Sequence, residues 1–207
     1  MLDSIGEGSK DRIKRALRAV GYDYTHWTRT VMHRECTRRL DEIGITDKDA
    51  LEISAGLHWR TLPFRTFREA NYPDFDICKD RLNEQFDIVI ADQVFEHLLW
   101  PYRAARNVFE MVKPGGWFLI STPFLIRVHA IPYDCSRWTP LGLKHLLAEV
   151  GFHYDSIETG SWGNRACVKA NFTKWARRGW FGSLRNEPDF PVTVWAFARK
   201  AVATETL

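Results

Sequence analysis

The sequence predicts an α/β fold built on a mostly parallel sheet. Three observations carry that prediction. From Asp49 onward short apolar runs alternate with amphipathic stretches, the strongest apolar run ends in an acid, and proline–glycine clusters mark the joins. At 207 residues the chain holds one such domain with a full core, and not two large ones.

In chain order, residues 9–20 read SKDRIKRALRAV, with Ile13, Ala16, Leu17 and Val20 at helical spacing and Lys/Arg opposite. A second helical stretch, Thr25–Ile43, ends at Gly44, a C-cap glycine. Residues 1–48 are thus expected to be a helical N-terminal extension that packs on the core or covers a cleft. The main domain is expected over 49–200, with a tail at 201–207. ALEIS (50–54) and FDIVIAD (86–92) read as buried strands. Trp100-Pro101 opens a helix whose inner face is Ala105, Val108, Phe109 and Val112, and Lys113-Pro114-Gly115-Gly116 stops it. WFLISTPF (117–124) is the next strand. Thr139 and Pro140 supply an N-cap and a first-turn proline for a helix burying Leu143, Leu146, Leu147 and Val150, closed by Gly151. HYDSIETG (153–160) and PVTVWAFARK (191–200) close the chain as two more strands.

Composition narrows the function classes. A net charge of +3 is too mild to mark a nucleic-acid binder. Cys36, Cys78, Cys135 and Cys167 lie far apart with no CxxC pair, which argues against a zinc ribbon and fits reduced thiols. The polar start MLDSIGEGSKDRIKR lacks the apolar core of a signal peptide, and no run of 18 apolar residues occurs. The expectation is a cytoplasmic protein with no residue assigned to a metal.

The segment FDIVIADQVFEHLLWPYRAARNVFEMVKPGGWFLISTP resembles the second half of the class I, Rossmann-like, S-adenosylmethionine-dependent methyltransferases. The matching positions are Phe86-Asp87, Asp92-Gln93, Glu96-His97 and Lys113-Pro114-Gly115-Gly116. The following HAIPYDCSRWTPLGLKHLLAEVGF is similar to a type 11-like subgroup associated with surface-carbohydrate or natural-product modification. A penultimate strand, a loop and an antiparallel last strand also fit that family.

The first half departs from the pattern. In Glu52-Ile53-Ser54-Ala55-Gly56-Leu57-His58 the acid and Gly56 match, but serine replaces the usual first glycine and histidine the third. About 34 residues separate Glu52 from Phe86, where a complete set of elements needs roughly 20 more. Residues 57–85 are therefore expected to hold compressed second and third strands.

The resemblance implies S-adenosyl-L-methionine as cofactor and a site at the carboxyl ends of the strands. Glu52, Ser54 and Gly56 would border its methionyl end. Asn71, with Asp74 and Asp76 behind it, would meet the ribose, and Asp80 the adenine. Asp92 and Gln93 would stand beside the transferred methyl. His97 is the leading general base because imidazole titrates near neutral pH. After the next strand, His129 and Asp134 are further catalytic candidates, and Arg137 and Trp138 are substrate-binding candidates. The alternative for Asp134 and Arg137 is a mutual ion pair within the loop.

Between Arg165 and Arg185 there are six basic residues and no acid (Arg165, Lys169, Lys174, Arg177, Arg178, Arg185), interleaved with Trp175 and Trp180 after Trp162. An insertion over 160–190 is expected to be a lid over an anionic or lipid-linked acceptor, with peripheral contact to a membrane surface. The expected partner is a small molecule or glycan, methylated on oxygen. The alternative from another class is a methyltransferase-like binding protein with a weakened cofactor site. An oxidoreductase is disfavoured because no GxGxxG follows the first strand. Amino-group DNA methylation is disfavoured because Ala91-Asp92-Gln93-Val94 stands where an Asn/Asp-Pro-Pro-aromatic motif belongs.

Overall fold

The computed structural model describes residues 26–179 and 182–202. The helix expected over 9–20, Trp180 and the last five residues lie outside the described residues. Helix α1 (Trp27–Ile43) is followed by β1 (Asp49–Ile53), β2 (Thr66–Ala70), β3 (Phe86–Asp92), α2 (Pro101–Met111) and β4 (Val112–Pro123). Then come α3 (Pro140–Glu149), β5 (Ile157–Trp162), the short α4 (Arg165–Ala170) and β6 (Thr193–Arg199).

The six strands form one sheet in the order β2-β1-β3-β4-β6-β5. The pairs β1–β2, β1–β3 and β3–β4 are parallel, whereas β6 runs antiparallel to both β4 and β5. The architecture is the predicted one, with an antiparallel last strand and a shortened first half.

The shortening goes further than the sequence reading expected. Residues 57–85 hold one strand, β2, and no third strand among the described residues. The connection from β1 to β2 is residues 54–65, with a single 3-10 turn at Trp59–Thr61. A parallel crossover takes a dozen or more residues, usually with a helix; this one sits at that lower bound and holds a 3-10 turn instead. The stretch 71–85 then runs as turns that wall the cleft described below.

Both faces of the sheet are covered. Val89 and Ala91 of β3 join the cluster under α2 and α3, with Ala105, Val108, Leu143 and Leu147. Ile88 and Ile90, the alternate residues, pack under α1 with Met32, Cys36 and Leu40. The spacing of those three α1 residues gives one helical face, and all are fully buried. Where α2 passes into β4, a Cβ on Gly116 would lie 2.7 Å from the Asp87 carbonyl, so only glycine fits this approach.

One polar joint ties α1 to the sheet. The Asp92 carboxylate at the tip of β3 accepts from His33 Nε2 of α1 at 3.2 Å and from Trp59 Nε1 at 3.1 Å. Ser121 Oγ of β4 donates to its other oxygen. Burial alone would raise this carboxyl, but His33, Arg29 and Ser121 outweigh it and hold the group down at about 2. Truncating Asp92 leaves these buried donors unpaired. Asp92→Ala is expected to lose about 3 kcal/mol in urea unfolding, and Ser121→Ala only about 1 kcal/mol.

Candidate active site

The parallel strands β1 to β4 end on one edge, and the predicted site residues gather there. Beyond β1, Ser54 takes the left-handed conformation (φ 53°), which glycine adopts without strain. Its N–H is held by the Ala70 carbonyl at 2.9 Å. Glu52 is buried, and its Oε1 accepts from Gly56 N–H at 3.0 Å while Oε2 has no hydrogen-bond partner. Burial pushes this carboxyl up to about 7; Gly56 N–H opposes the shift, and the charges of Asp92 and Glu69 add to it. Asn71 Oδ1 accepts from Ala55 N–H at 2.7 Å, so the residue at the tip of β2 braces the loop.

His58, the residue at the third glycine position, turns towards α1. Its ring stacks on His33 with centroids 3.9 Å apart, and Trp59 meets both rings edge-on. Burial and the neighbouring His33 lower its pKa to about 4. The departure from glycine therefore serves the helix joint.

A cleft of about 360 Å³ lies over this edge. Ser54, Gln93 and His97 form its inner end, with Tyr72, Phe75, Ile77 and Trp100 among its apolar walls. Asp76 also lines it, held low by a salt bridge to Lys79 at 2.9 Å. Asp80 caps the same turn by accepting from Asp76 N–H at 2.7 Å. Gln93 is a second non-glycine residue in the left-handed region (φ 59°). Its N–H and side-chain amide donate to the Ser121 carbonyl and hydroxyl at 2.9 and 3.0 Å. Two such residues, each ending a parallel strand at one cleft, are the strain pattern of a functional site. Asp92, expected beside the methyl, is instead engaged in the joint behind this wall.

A 3-10 turn at Phe95–His97 follows β3 and carries an acid with a histidine. Glu96 is buried, and neither carboxylate oxygen has a hydrogen-bond partner. Burial pushes it up to about 8, against the opposing charges of Arg29 and Arg137. His97 Nε2 lies 3.5 Å and His129 Nε2 4.0 Å from Glu96 Oε1. The loop after β4 brings His129 here. Asp134 accepts from His129 N–H at 2.7 Å, and its carboxylate is 3.3 Å from Nδ1. Arg137 grips Asp134 through both guanidinium nitrogens and holds its pKa near 2. The ion pair considered in the sequence reading is thus formed, and Arg137 is spent on the loop. Trp138 packs against the main core and lines neither cleft.

A second cleft of about 290 Å³ opens on the other side of Gln93 and His97. Glu96, His129, Arg29, Thr28 and Trp175 are in its wall, and Ile131 is shared with the first cleft. The basic 165–185 segment folds back to reach it. Trp27 N–H donates to the Ala176 carbonyl at 3.0 Å, and the Trp175 ring meets His129 edge-on at 5.1 Å. Within the segment, α4 is the one helix among the described residues. Arg165 pairs with Glu187 at 2.6 Å.

The sequence reading gave no role to Arg29, His33, Trp59 or the Glu96 carboxylate. An acid inside the apolar run VFEHLLW was the available signal for Glu96. His33 and Arg29 sit on a helix far away in sequence, and nothing local marks them.

The comparisons agree with this geometry. A family model described as a methyltransferase domain matches residues 14–157, more than half of the chain. A Mycolicibacterium smegmatis protein named as an S-adenosylmethionine-dependent methyltransferase is 35% identical over 82 residues, covering 37% of this chain and 30% of that one. The chain thus spans under a third of that relative's length. An S-adenosylmethionine-dependent methyltransferase from Mesorhizobium loti superposes with a TM-score of 0.52 at 16% identity, covering 79% of this chain and 96% of the other. Haemonchus contortus phosphoethanolamine N-methyltransferase 2, solved with S-adenosyl-L-methionine, gives 0.54 at 12% identity, covering 81% and 52%. The chain belongs to the methyltransferase domain family, and its six-stranded sheet is the fold of S-adenosylmethionine-dependent enzymes.

Proposed function

We propose that this enzyme transfers the methyl group of S-adenosyl-L-methionine to an oxygen of a small-molecule or carbohydrate acceptor. The observation that carries the reading is the meeting of two clefts at Gln93, His97 and Ile131. The larger has aromatic and apolar walls over the strand ends and suits the donor. The smaller holds the proton-accepting groups and suits the acceptor.

Methyl transfer from a sulfonium is an in-line displacement, so the protein has to align two reactants and take one proton. Glu52, buried beside the loop after β1 with one oxygen unpaired, is the group we assign to the donor's ammonium. Asn71, just past the end of β2, is assigned to the ribose, with Asp76 in the cleft wall. His97 donates its Nδ1 proton to the Tyr133 carbonyl at 2.6 Å, which leaves Nε2 as the acceptor of a proton from substrate. An oxygen nucleophile must lose a proton on attack, which fits the clustering of two imidazoles and a carboxylate at the junction. Asp134 serves as the group that orients His129. Arg29 takes the anchoring role expected of Arg137, towards a phosphate or carboxylate on the acceptor. The non-catalytic alternative is the weaker reading, because the loop that motivated it keeps its turn with Ser54 in the left-handed conformation.

Three tests follow from this reading. Release of S-adenosylhomocysteine is measured over a panel of phenols, glycosides and sugar phosphates beside matched amines. Turnover of hydroxyl acceptors is expected, and turnover of amines alone contradicts the oxygen assignment. Trp175→Ala is expected to raise the acceptor KM about tenfold, with S-adenosylhomocysteine affinity within twofold of wild type by calorimetry.

Glu52 gives a pH test. Its folded pKa is raised above the unfolded value, so the folded state binds the extra proton and stability falls as pH rises from about 4.5 to 7. Glu52→Gln is therefore expected to raise Tm at pH 8 by about 2–4 °C and to show no gain at pH 4. The same variant is expected to weaken S-adenosylhomocysteine binding most above pH 7, where the wild-type carboxylate is charged.

A further inference from the structure

The buried Glu96 carboxylate, its two oxygens without a hydrogen bond, is not explained by proton transfer to His97 alone. A buried carboxylate with no donor is costly unless it is protonated or bound to a cation. Around it stand His97 and His129, and one ligand atom from each of the three residues lies within 4.8 Å of the other two. Glu96 and His97 come from the turn after β3, and His129 from the loop after β4. The site is therefore built from the ends of two neighbouring strands.

The histidines are oriented for such a role. Tyr133 O is 2.6 Å from His97 Nδ1, and Arg127 O is 3.3 Å from His129 Nδ1. A carbonyl only accepts, so each Nδ1 carries the proton and each Nε2 presents a lone pair. Both lone-pair nitrogens are the ones near Glu96 Oε1, at 3.5 and 4.0 Å. Asp134 backs His129 Nδ1 at 3.3 Å, giving the carboxylate–histidine arrangement that supports metal-binding imidazoles. Ligand atoms about 2.1 Å from one ion lie roughly 3–3.5 Å apart, so small side-chain rotations close this set.

We propose that Glu96, His97 and His129 form a divalent-cation site in the wall of the acceptor cleft. Two imidazoles and one carboxylate select a borderline first-row ion such as zinc, cobalt or iron(II) over magnesium or calcium. Three protein ligands leave positions open, and all three residues line the smaller cleft. An acceptor hydroxyl oxygen is the class of ligand that completes the sphere there; with the ion bound His97 is a ligand rather than the base, and the ion itself would acidify that hydroxyl. That last role rests on the reading of the smaller cleft as the acceptor site; binding of the ion itself does not.

The test uses the full chain, stripped with chelator and titrated with cobalt(II) or zinc alone. One equivalent is expected to bind with micromolar or tighter affinity, with cobalt d–d absorption bands in the visible. Glu96→Gln and His129→Ala are expected to weaken binding by at least 100-fold, Asp134→Asn by 10–100-fold, and His153→Ala on the exposed surface not at all. Each variant is checked by S-adenosylhomocysteine titration, which reports the donor cleft independently. No stoichiometric uptake by wild type overturns the proposal without need of any variant, as does wild-type affinity in Glu96→Gln and His129→Ala. Ion binding without S-adenosylhomocysteine binding overturns the methyltransferase reading and leaves the ion site standing.

Discussion

The tip of β3 is the constraint on which the site depends. Asp92 and Gln93 are adjacent and share Ser121 Oγ, yet Asp92 also bonds α1 while Gln93 lines the clefts. Asp92 is locked to His33, Trp59 and Ser121, which joins α1, the β1–β2 connection and β4 at one carboxylate. Gln93 is then turned into the left-handed region and hydrogen-bonded to Ser121 on the cleft side. The Phe95–His97 turn follows at once, so the position of Glu96 and His97 is set by the same anchor. An ionised Asp92 inside the core costs desolvation, and its three donors offset it. The strand end is thereby held rigid where chemistry needs a fixed distance.

The same anchor goes with the short connection between β1 and β2. With only residues 54–65 between β1 and β2, no crossover helix follows the loop. Its third glycine has no helix to accommodate, and His58 and Trp59 use that place to pack on α1. Helix α1 consequently does two jobs: Met32, Cys36 and Leu40 cover the sheet, and Thr28 and Arg29 wall the second cleft. The basic, tryptophan-bearing segment reaches the same wall from the other end of the chain.

Much of this was legible in the sequence, for identifiable reasons. Strands β3 and β4 are continuous apolar runs bounded by strong breakers, and Thr139-Pro140 marks the start of α3 through a real N-cap, with Gly142 N–H donating to Thr139 Oγ1 at 3.1 Å. The 57–85 stretch was read as two strands because spacing alone does not say which element a shortened chain omits. Among the site residues, Gln93 and His97 stand at the cleft junction and Ser54 lines the larger cleft. Their positions at strand ends are what a parallel sheet dictates. Asp92 and Trp138 are committed to tertiary neighbours that no local pattern reveals, whereas Arg137 is committed to Asp134, a local pair that the sequence did suggest. The reverse holds for Arg29 and His33, which act on the site from a helix about sixty residues before Gln93.

The central claim is that donor and acceptor meet at Gln93 and His97. A crystal structure with S-adenosylhomocysteine bound tests it most directly. The adenosine is expected between Ile77 and Trp100, the methionyl ammonium towards Glu52, and the sulfur at the mouth of the second cleft facing His97. Ligand seated away from Ser54 and Gln93, or with its sulfur turned from the Glu96–His97–His129 cluster, would contradict the account.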